Sequence, residues 1–178
     1  FIKKKINKNP DNAKKDWLNT CKEWKNKYDP VKKEFFGNHN YVHPYAFIRT
    51  LSEKMKKNDT FVADCGGNIV ISNHSFETKL GQRYFTNNGN SPMGFSFSGA
   101  IGAYIAEPEK RIVCITGDGG MNMNIQELQT IKHYGYPIII FVMNNSSYGC
   151  IKDFQNDNLE GRYYGTNLVG DYSTPDFV

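Results

Sequence analysis

Two apolar runs joined by an amphipathic segment constrain the fold of this 178-residue chain more than any other feature. The runs are RIVCIT (111–116) and PIIIFVMNN (137–145), and the segment NIQELQTIKHYG (124–135) between them has helical spacing. Strands that are apolar along their whole length are typical of parallel sheets covered on both faces. The chain is therefore predicted to be an α/β protein, a parallel sheet with helices on both faces.

The helix between the two runs has recognisable end signals. Asn124 is followed three residues later by Glu127, which is the pattern of a capping box, so the helix is predicted to begin at Asn124. Gly135 and the Pro137 that follows it predict the end of the helix. The positive end of this helix is then expected to lie close to the end of the first strand.

Further elements can be predicted before this unit. Pro44 is expected in the first turn of a helix, and TFVAD (60–64) is expected to be a short buried strand that runs into a loop at 66–68. A second helix, SGAIGAYIAE (98–107), is rich in small residues and is expected to stop at Pro108. Small residues allow a helix to approach a sheet closely.

Composition excludes several classes of function. No stretch approaches the roughly 20 apolar residues of a membrane span, so a soluble, cytoplasmic protein without a membrane partner is expected. Residues 1–57 carry 15 of the 22 Lys and Arg but only 6 of the 18 Asp and Glu. These lysines are spread through helical patterns without an Arg-rich, aromatic-interleaved patch, so nucleic-acid binding ranks last and no nucleic-acid partner is expected.

The cysteines carry no metal or disulfide signal. They are Cys21, Cys65, Cys114 and Cys150. No two of them form a Cys-x-x-Cys pair, so neither a zinc site nor a disulfide framework is indicated. Buried, reduced thiols are expected.

Polar residues follow both apolar runs. GDGG (117–120) follows the first and NNSS (144–147) follows the second. A strand-helix-strand unit usually places its strands side by side and in parallel, so both ends should meet at one edge of the sheet, where ligands of α/β folds bind. Either motif alone is a common turn. Together they favour a site for phosphate and a metal ion over a purely structural role.

Each residue type suits a separate part of such a site. The carboxylate of Asp118, the amide oxygen of Asn145 and a carbonyl near Ser147 are hard oxygen ligands of the kind that Mg²⁺ takes together with phosphate. Gly119 and Gly120 have no side chain, so their backbone N–H groups can approach phosphate. A non-catalytic nucleotide- or phosphate-binding domain with the same site remains the alternative.

At these residues the chain resembles the thiamine-diphosphate-dependent enzymes, whose cofactor motif opens with GDG and closes with NN. Here 24 residues, 120 to 143, separate the two motifs. The stretch GDGGMNMNIQELQTIKHYGYPIIIFVMNN most resembles the acetolactate synthase group. NSPMGFSFSGAIGA is similar to the loop and helix that precede the GDG strand in that family. The resemblance implies the thiamine-diphosphate-binding fold.

The resemblance also implies roles for single residues. Asp118 and Asn145 would bind Mg²⁺ through their side chains and Ser147 through its carbonyl. Met93 would hold the two cofactor rings in a bent conformation, and Phe154 would line the substrate. The residues implied to contact thiamine diphosphate are Asn68, Ser91, Met93, Gly117, Asp118, Gly119, Gly120, Asn145, Gly149, Cys150 and Ile151.

For the intact enzyme, the resemblance implies decarboxylation of a 2-oxo acid and transfer of the carbanion equivalent to a second carbonyl. The activating glutamate belongs to an N-terminal domain of the same or a partner subunit, so no catalytic residue is expected here and the chain alone should be inactive. Residues 1–43 are expected to be a basic helical linker from that upstream domain. Residues 44–178 would form the diphosphate- and Mg²⁺-binding domain of a homo-oligomer, with truncation at the C-terminus left open.

Overall fold

The computed structural model describes residues 12–37 and 40–177. At its centre is a four-stranded sheet in the order β2-β1-β3-β4. The strands are β1 (Thr60–Ala63), β2 (Arg83–Phe85), β3 (Ile112–Gly117) and β4 (Ile139–Met143). Each neighbouring pair runs parallel, which confirms the predicted parallel sheet.

Helices connect and flank these strands. In chain order they are α1 (Asn12–Lys27), a short 3₁₀ helix (Lys33–Phe36), α2 (Pro44–Lys54), α3 (Gly67–Ser75), α4 (Phe95–Ala106), α5 (Asp118–Met123), α6 (Glu127–Tyr134) and α7 (Gly149–Asn158). Pro44 is in the first turn of α2, as predicted. It suits that position because the first N–H groups of a helix have no intrahelical acceptor.

The core lies on both faces of the sheet because side chains of a strand alternate between faces. Phe61 and Val113 pack with Ile48 of α2 on one face. Val62 packs with Ala100 of α4 on the other face. The prediction of helices on both faces is therefore confirmed, and β1 and β3 are buried along almost their whole length.

The register between β3 and β4 determines where the polar motifs lie. Gly117, the last residue of β3, pairs with Met143, the last residue of β4. Both strands therefore end at the same edge of the sheet, as predicted. Asp118 directly follows β3, and Asn144 directly follows β4.

The predicted start of the helix before β4 is wrong. The segment begins with α5 at Asp118, and α6 begins only at Glu127, without a side-chain cap. Asn124 does not cap a helix: its Oδ1 accepts from the side-chain amide of Gln126, 3.3 Å away, instead of from a backbone N–H, and its own amide nitrogen donates to the carbonyl of Gly94, 3.0 Å away. The helix start that faces the strand ends is therefore that of α5. The predicted end is correct, since Gly135 follows α6 in a left-handed conformation.

The loop expected after β1 is shorter than predicted. Residues 67 and 68 already belong to α3. Gly66 has a φ of +63°, which a side chain would make unfavourable, and this turn takes the chain from strand to helix within three residues. Asn68 is consequently presented from the first turn of a helix rather than from a loop.

The basic N-terminal segment, which was expected to be helical, contains α1. Trp17 and Trp24 are largely exposed and meet edge to face, with ring centroids 5.6 Å apart. The role of residues 1–43 as a linker stays a prediction. Within residues 12–37 and 40–177, no helix is both long enough and apolar enough to span a membrane.

Candidate functional site

A cavity of about 1070 Å³ opens at the carboxyl ends of β1, β3 and β4. Its wall includes every predicted cofactor or metal residue, namely Asn68, Ser91, Met93, Gly117, Asp118, Gly119, Gly120, Asn145, Ser147, Gly149, Cys150 and Ile151. Phe154 does not line this cavity, and its side chain on α7 is 58% exposed. The fold thus collects the predicted cofactor and metal residues in one place and leaves the predicted substrate residue outside.

The side chains of two predicted metal ligands converge on the backbone N–H of the third. The backbone N–H of Ser147 donates to Oδ2 of Asp118, 3.2 Å away, and to Oδ1 of Asn145, 3.1 Å away. The turn after β4 makes this possible, because Ser146 has a φ of +53° and folds the chain back toward β3. Asp118 is only 2% exposed. A carboxylate oxygen and an amide oxygen therefore lie close together at this edge of the sheet.

A tyrosine from the C-terminal segment completes the surroundings of Asp118. The hydroxyl of Tyr172 donates to Oδ2 of Asp118 over 2.9 Å, and Tyr172 is 6% exposed. Burial, together with this hydrogen bond, raises the pKa of Tyr172, so it stays protonated and a donor at neutral pH. The N–H of Tyr148 bonds to the carbonyl of Thr166, which brings this segment to the site. The sequence offered no signal for Tyr172.

The glycines after Asp118 are packed against neighbours. A Cβ on Gly119 would overlap the ring of Tyr148, and one on Gly120 would overlap Oδ2 of Asp64. Met93 also reaches this corner, since its Cε lies 3.2 Å from the position of a Cβ on Gly119. Close packing therefore requires glycine at both positions, in addition to the room that glycine leaves for phosphate.

Asn68 and Cys150 lie on the wall formed by β1, α3 and α7. The amide nitrogen of Asn68 is 3.3 Å from the position of a Cβ on Gly117, and it donates to the carbonyl of Cys65. The sulfur of Cys150 lies 3.7 Å from the position of a Cβ on Gly66. The first turns of α3 and α7 therefore approach each other across this wall.

The charge of the cavity wall is one-sided. Asp64, Asp118 and Asp153 lie on it, whereas no Lys, Arg or His among the described residues does. Nor do the described residues contain a group of three or more His, Cys, Asp or Glu side chains placed to hold a metal ion. A cation here would take oxygen ligands of mixed type and would need further ligands from an anion.

A smaller hollow of about 410 Å³ lies at the opposite edge of the sheet, near the amino ends of β1 and β3. Three of its charged side chains, Asp59, Lys110 and Arg111, are in ion pairs. Arg111 forms an ion pair with Asp59, and Lys110 forms one with Glu107 at 2.7 Å. It resembles a charged surface more than a ligand site.

The four cysteines are free, as expected, but only Cys114 is buried. Burial raises the pKa of Cys114 to about 12. Burial, followed by the nearby charges of Asp64 and Cys150, raises the pKa of Cys65 to about 11. Because the thiolate is the reactive form, these two thiols should react slowly at neutral pH.

We expect iodoacetamide at pH 8 to alkylate the exposed Cys150 first. Cys65 should react about 100-fold more slowly than a thiol of ordinary pKa, and its rate should rise about tenfold per pH unit until its pKa is reached. Peptide mass spectrometry over time measures both rates, with Cys150→Ser as the control for peptide assignment. Equal rates for Cys65 and Cys150 at pH 8 would contradict the described environment.

The chain matches one protein-family model and is similar to several curated proteins. The family model described as "Thiamine pyrophosphate enzyme, C-terminal TPP binding domain" matches residues 64–178. The acetolactate synthase large subunit of Buchnera aphidicola subsp. Acyrthosiphon pisum is 33% identical over 163 residues, which are 92% of this chain and 28% of that protein. Acetolactate synthase isozyme 3 large subunit of Escherichia coli is 31% identical over 169 residues, which are 92% of this chain and 28% of that protein.

A third relative is similar over almost the whole of this chain. The probable acetolactate synthase large subunit of Methanococcus aeolicus is 30% identical over 179 residues, covering 96% of this chain and 29% of that protein. The chain therefore spans less than a third of the length of each of these curated relatives.

Proposed function

Since this chain belongs to the thiamine pyrophosphate enzyme family and matches its C-terminal cofactor-binding domain, we propose that its cavity binds thiamine diphosphate (another name for thiamine pyrophosphate) through Mg²⁺. The observation that carries this proposal is the convergence of the Asp118 and Asn145 oxygens on one N–H group. Two hard oxygens at the end of adjacent strands suit a divalent ion. The volume of the cavity, about 1070 Å³, leaves room for the organic part of the cofactor.

The charge of the wall supports a metal-mediated rather than a direct hold on the diphosphate. A diphosphate is an anion, and the carboxylates of Asp64, Asp118 and Asp153 repel it. No basic side chain of the described wall compensates for that repulsion. Mg²⁺ would do so if held by Asp118, Asn145 and the carbonyl of Ser147, with phosphate oxygens as further ligands. The same lack of a lysine argues against a nucleotide site of the P-loop type.

The remaining wall residues divide between the two parts of the cofactor. Asn68 and the glycines at 117, 119 and 120 would contact the diphosphate, whereas Ser91 and Met93 would contact the rings. Residues 149–151 of α7 would surround the reacting carbon. The bound cofactor supplies an electron sink for decarboxylation, and the protein supplies its orientation.

For the whole protein we propose the reaction of the acetolactate synthase group. A 2-oxo acid loses carbon dioxide, and the remaining fragment is joined to a second carbonyl compound. The activating glutamate would come from an N-terminal domain of the same or a partner subunit, within a cytoplasmic homo-oligomer. Residues 1–43 would be the linker to that domain, and Phe154 would contact the substrate only in the complete assembly.

Isothermal titration calorimetry tests the cofactor assignment on the 178-residue chain. We expect heat of binding with thiamine diphosphate plus Mg²⁺, none with thiamine diphosphate plus EDTA, and none with ATP plus Mg²⁺. Binding of ATP alone would establish the alternative, a nucleotide-binding domain. The chain should not decarboxylate pyruvate without the upstream domain, and turnover by the chain alone would refute the assignment of the glutamate.

A further inference from the structure

One buried carboxylate on the cavity wall has no part in the proposed binding of metal or diphosphate. Asp64 directly follows β1 and is 1% exposed. Its Oδ2 accepts hydrogen bonds from the hydroxyl of Thr116, 2.7 Å away, and from the backbone N–H of Gly94, 3.1 Å away. It therefore links the end of β3 to the loop that precedes α4.

The Gly94 residue is held on both sides. Its N–H donates to Asp64, and its carbonyl accepts from the amide of Asn124, 3.0 Å away. Gly94 has a φ of +81°, and a Cβ there would lie 2.9 Å from the amide nitrogen of Asn124. Backbone conformation and two side chains from separate elements thus fix the position of this single residue.

Met93 directly precedes Gly94 in the chain, so the fixed position of Gly94 constrains the position of Met93. Met93 is on the cavity wall, with its Cε close to Gly119. Ser91, in the same loop, has a φ of +46°, a conformation that is uncommon for a residue with a side chain. The loop 91–94 is therefore held next to Gly119 through its last residue, Gly94.

We propose that Asp64 and Asn124 are positioning residues that hold Gly94 so that Met93 meets the organic rings of the cofactor. This inference rests on the proposed function. The side-chain hydrogen bonds of Asp64 and Asn124 described above involve no proposed ligand of the metal and no proposed contact of the diphosphate. Their effect on binding should therefore depend on whether the ligand carries rings.

Stability alone does not account for a carboxylate at this position. Oδ1 of Asp64 is buried and accepts no hydrogen bond from the described residues. A buried acceptor without a partner is unfavourable, and an asparagine would carry the same two hydrogen bonds without a buried charge. The position therefore requires an acceptor for the Gly94 N–H and the Thr116 hydroxyl, which the side-chain oxygen of asparagine also supplies.

The first test needs no ligand. Hydrogen exchange of the Gly94 N–H, followed by NMR, should become at least about tenfold faster in Asp64→Ala, since the acceptor is lost. Asp64→Asn should restore most of the protection. Unchanged exchange in Asp64→Ala would overturn the inference, whether or not the chain binds the cofactor.

The second test compares two ligands by calorimetry in the presence of Mg²⁺, thiamine diphosphate and inorganic pyrophosphate, which has no rings. In Asp64→Ala and Asn124→Ala, the Kd for thiamine diphosphate should rise about tenfold and the Kd for pyrophosphate should stay within about twofold. Asp64→Asn should stay close to the wild type. Asn73→Ala, which removes an exposed amide that accepts from Tyr84, is the matched control and should change neither value.

The outcomes separate this inference from the proposed function. If the wild type binds neither ligand, the proposed function fails. If it binds both and the variants weaken both equally, the two residues act only on the fold and the positioning role is wrong. If Asp64→Asn is as weak as Asp64→Ala, the charge and not the hold on Gly94 is responsible, and the inference also fails.

Discussion

Asp118→Asn should abolish the Mg²⁺-dependent binding of thiamine diphosphate to this chain, raising the Kd more than about 100-fold, since losing even an outer-shell partner of a metal typically costs 10–100-fold. The substitution keeps the shape of the side chain and one oxygen that can accept from Ser147 and Tyr172. It removes the negative charge that would offset the ion. Affinity for the metal should fall while the fold persists.

Asp153→Asn is the matched control. Asp153 lies on the same wall, is exposed, and carries the same charge, but it is not among the convergent oxygens. Its loss should change the Kd by less than about threefold, because an exposed charge is screened by solvent. Titrations of both variants, with melting curves to verify folding, measure the difference. An unchanged affinity in Asp118→Asn would mean that the metal lies elsewhere.

The part of the site that the sequence predicted depends on local pattern and one topological rule. The apolar runs that form β3 and β4 predict strands of a parallel sheet, and a short crossover places such strands side by side. Once they are adjacent, Asp118 and Asn145 must meet at one edge. The pairing of Gly117 with Met143, the last residues of β3 and β4, brings these two strand ends together.

The part that could not be predicted depends on contacts between distant segments. Tyr172 reaches Asp118 across 54 positions, and no local pattern marks it. Asn124 matches a capping box, but its Oδ1 accepts from the side chain of Gln126 and its amide nitrogen donates to the Gly94 carbonyl. Asp64 could have been found, because it directly follows β1, which lies beside β3, and the rule that identified Asp118 applies equally to it.

The glycines of the GDGG motif provide the second large expected effect. Gly120→Ala should lower the free energy of unfolding by about 2–4 kcal/mol, because the new methyl group overlaps a buried carboxylate and strains its hydrogen bonds. The carboxylate is that of Asp64, and a Cβ at Gly120 would also stand 2.8 Å from Oγ1 of Thr116. Asp64 is bonded on two sides and cannot move aside without losing a partner.

Gly102→Ala separates this steric effect from the general effect of the substitution. Gly102 lies inside α4, is exposed, and a Cβ there would have no atom within 4 Å. Alanine is the better helix former, so this variant should be more stable than the wild type by about 0.5–1 kcal/mol. Urea denaturation measures both free energies. If both variants shift in the same direction, the packing of Gly120 against Asp64 is not what determines the stability of this corner, and phosphate access would again be the better reason for the glycine.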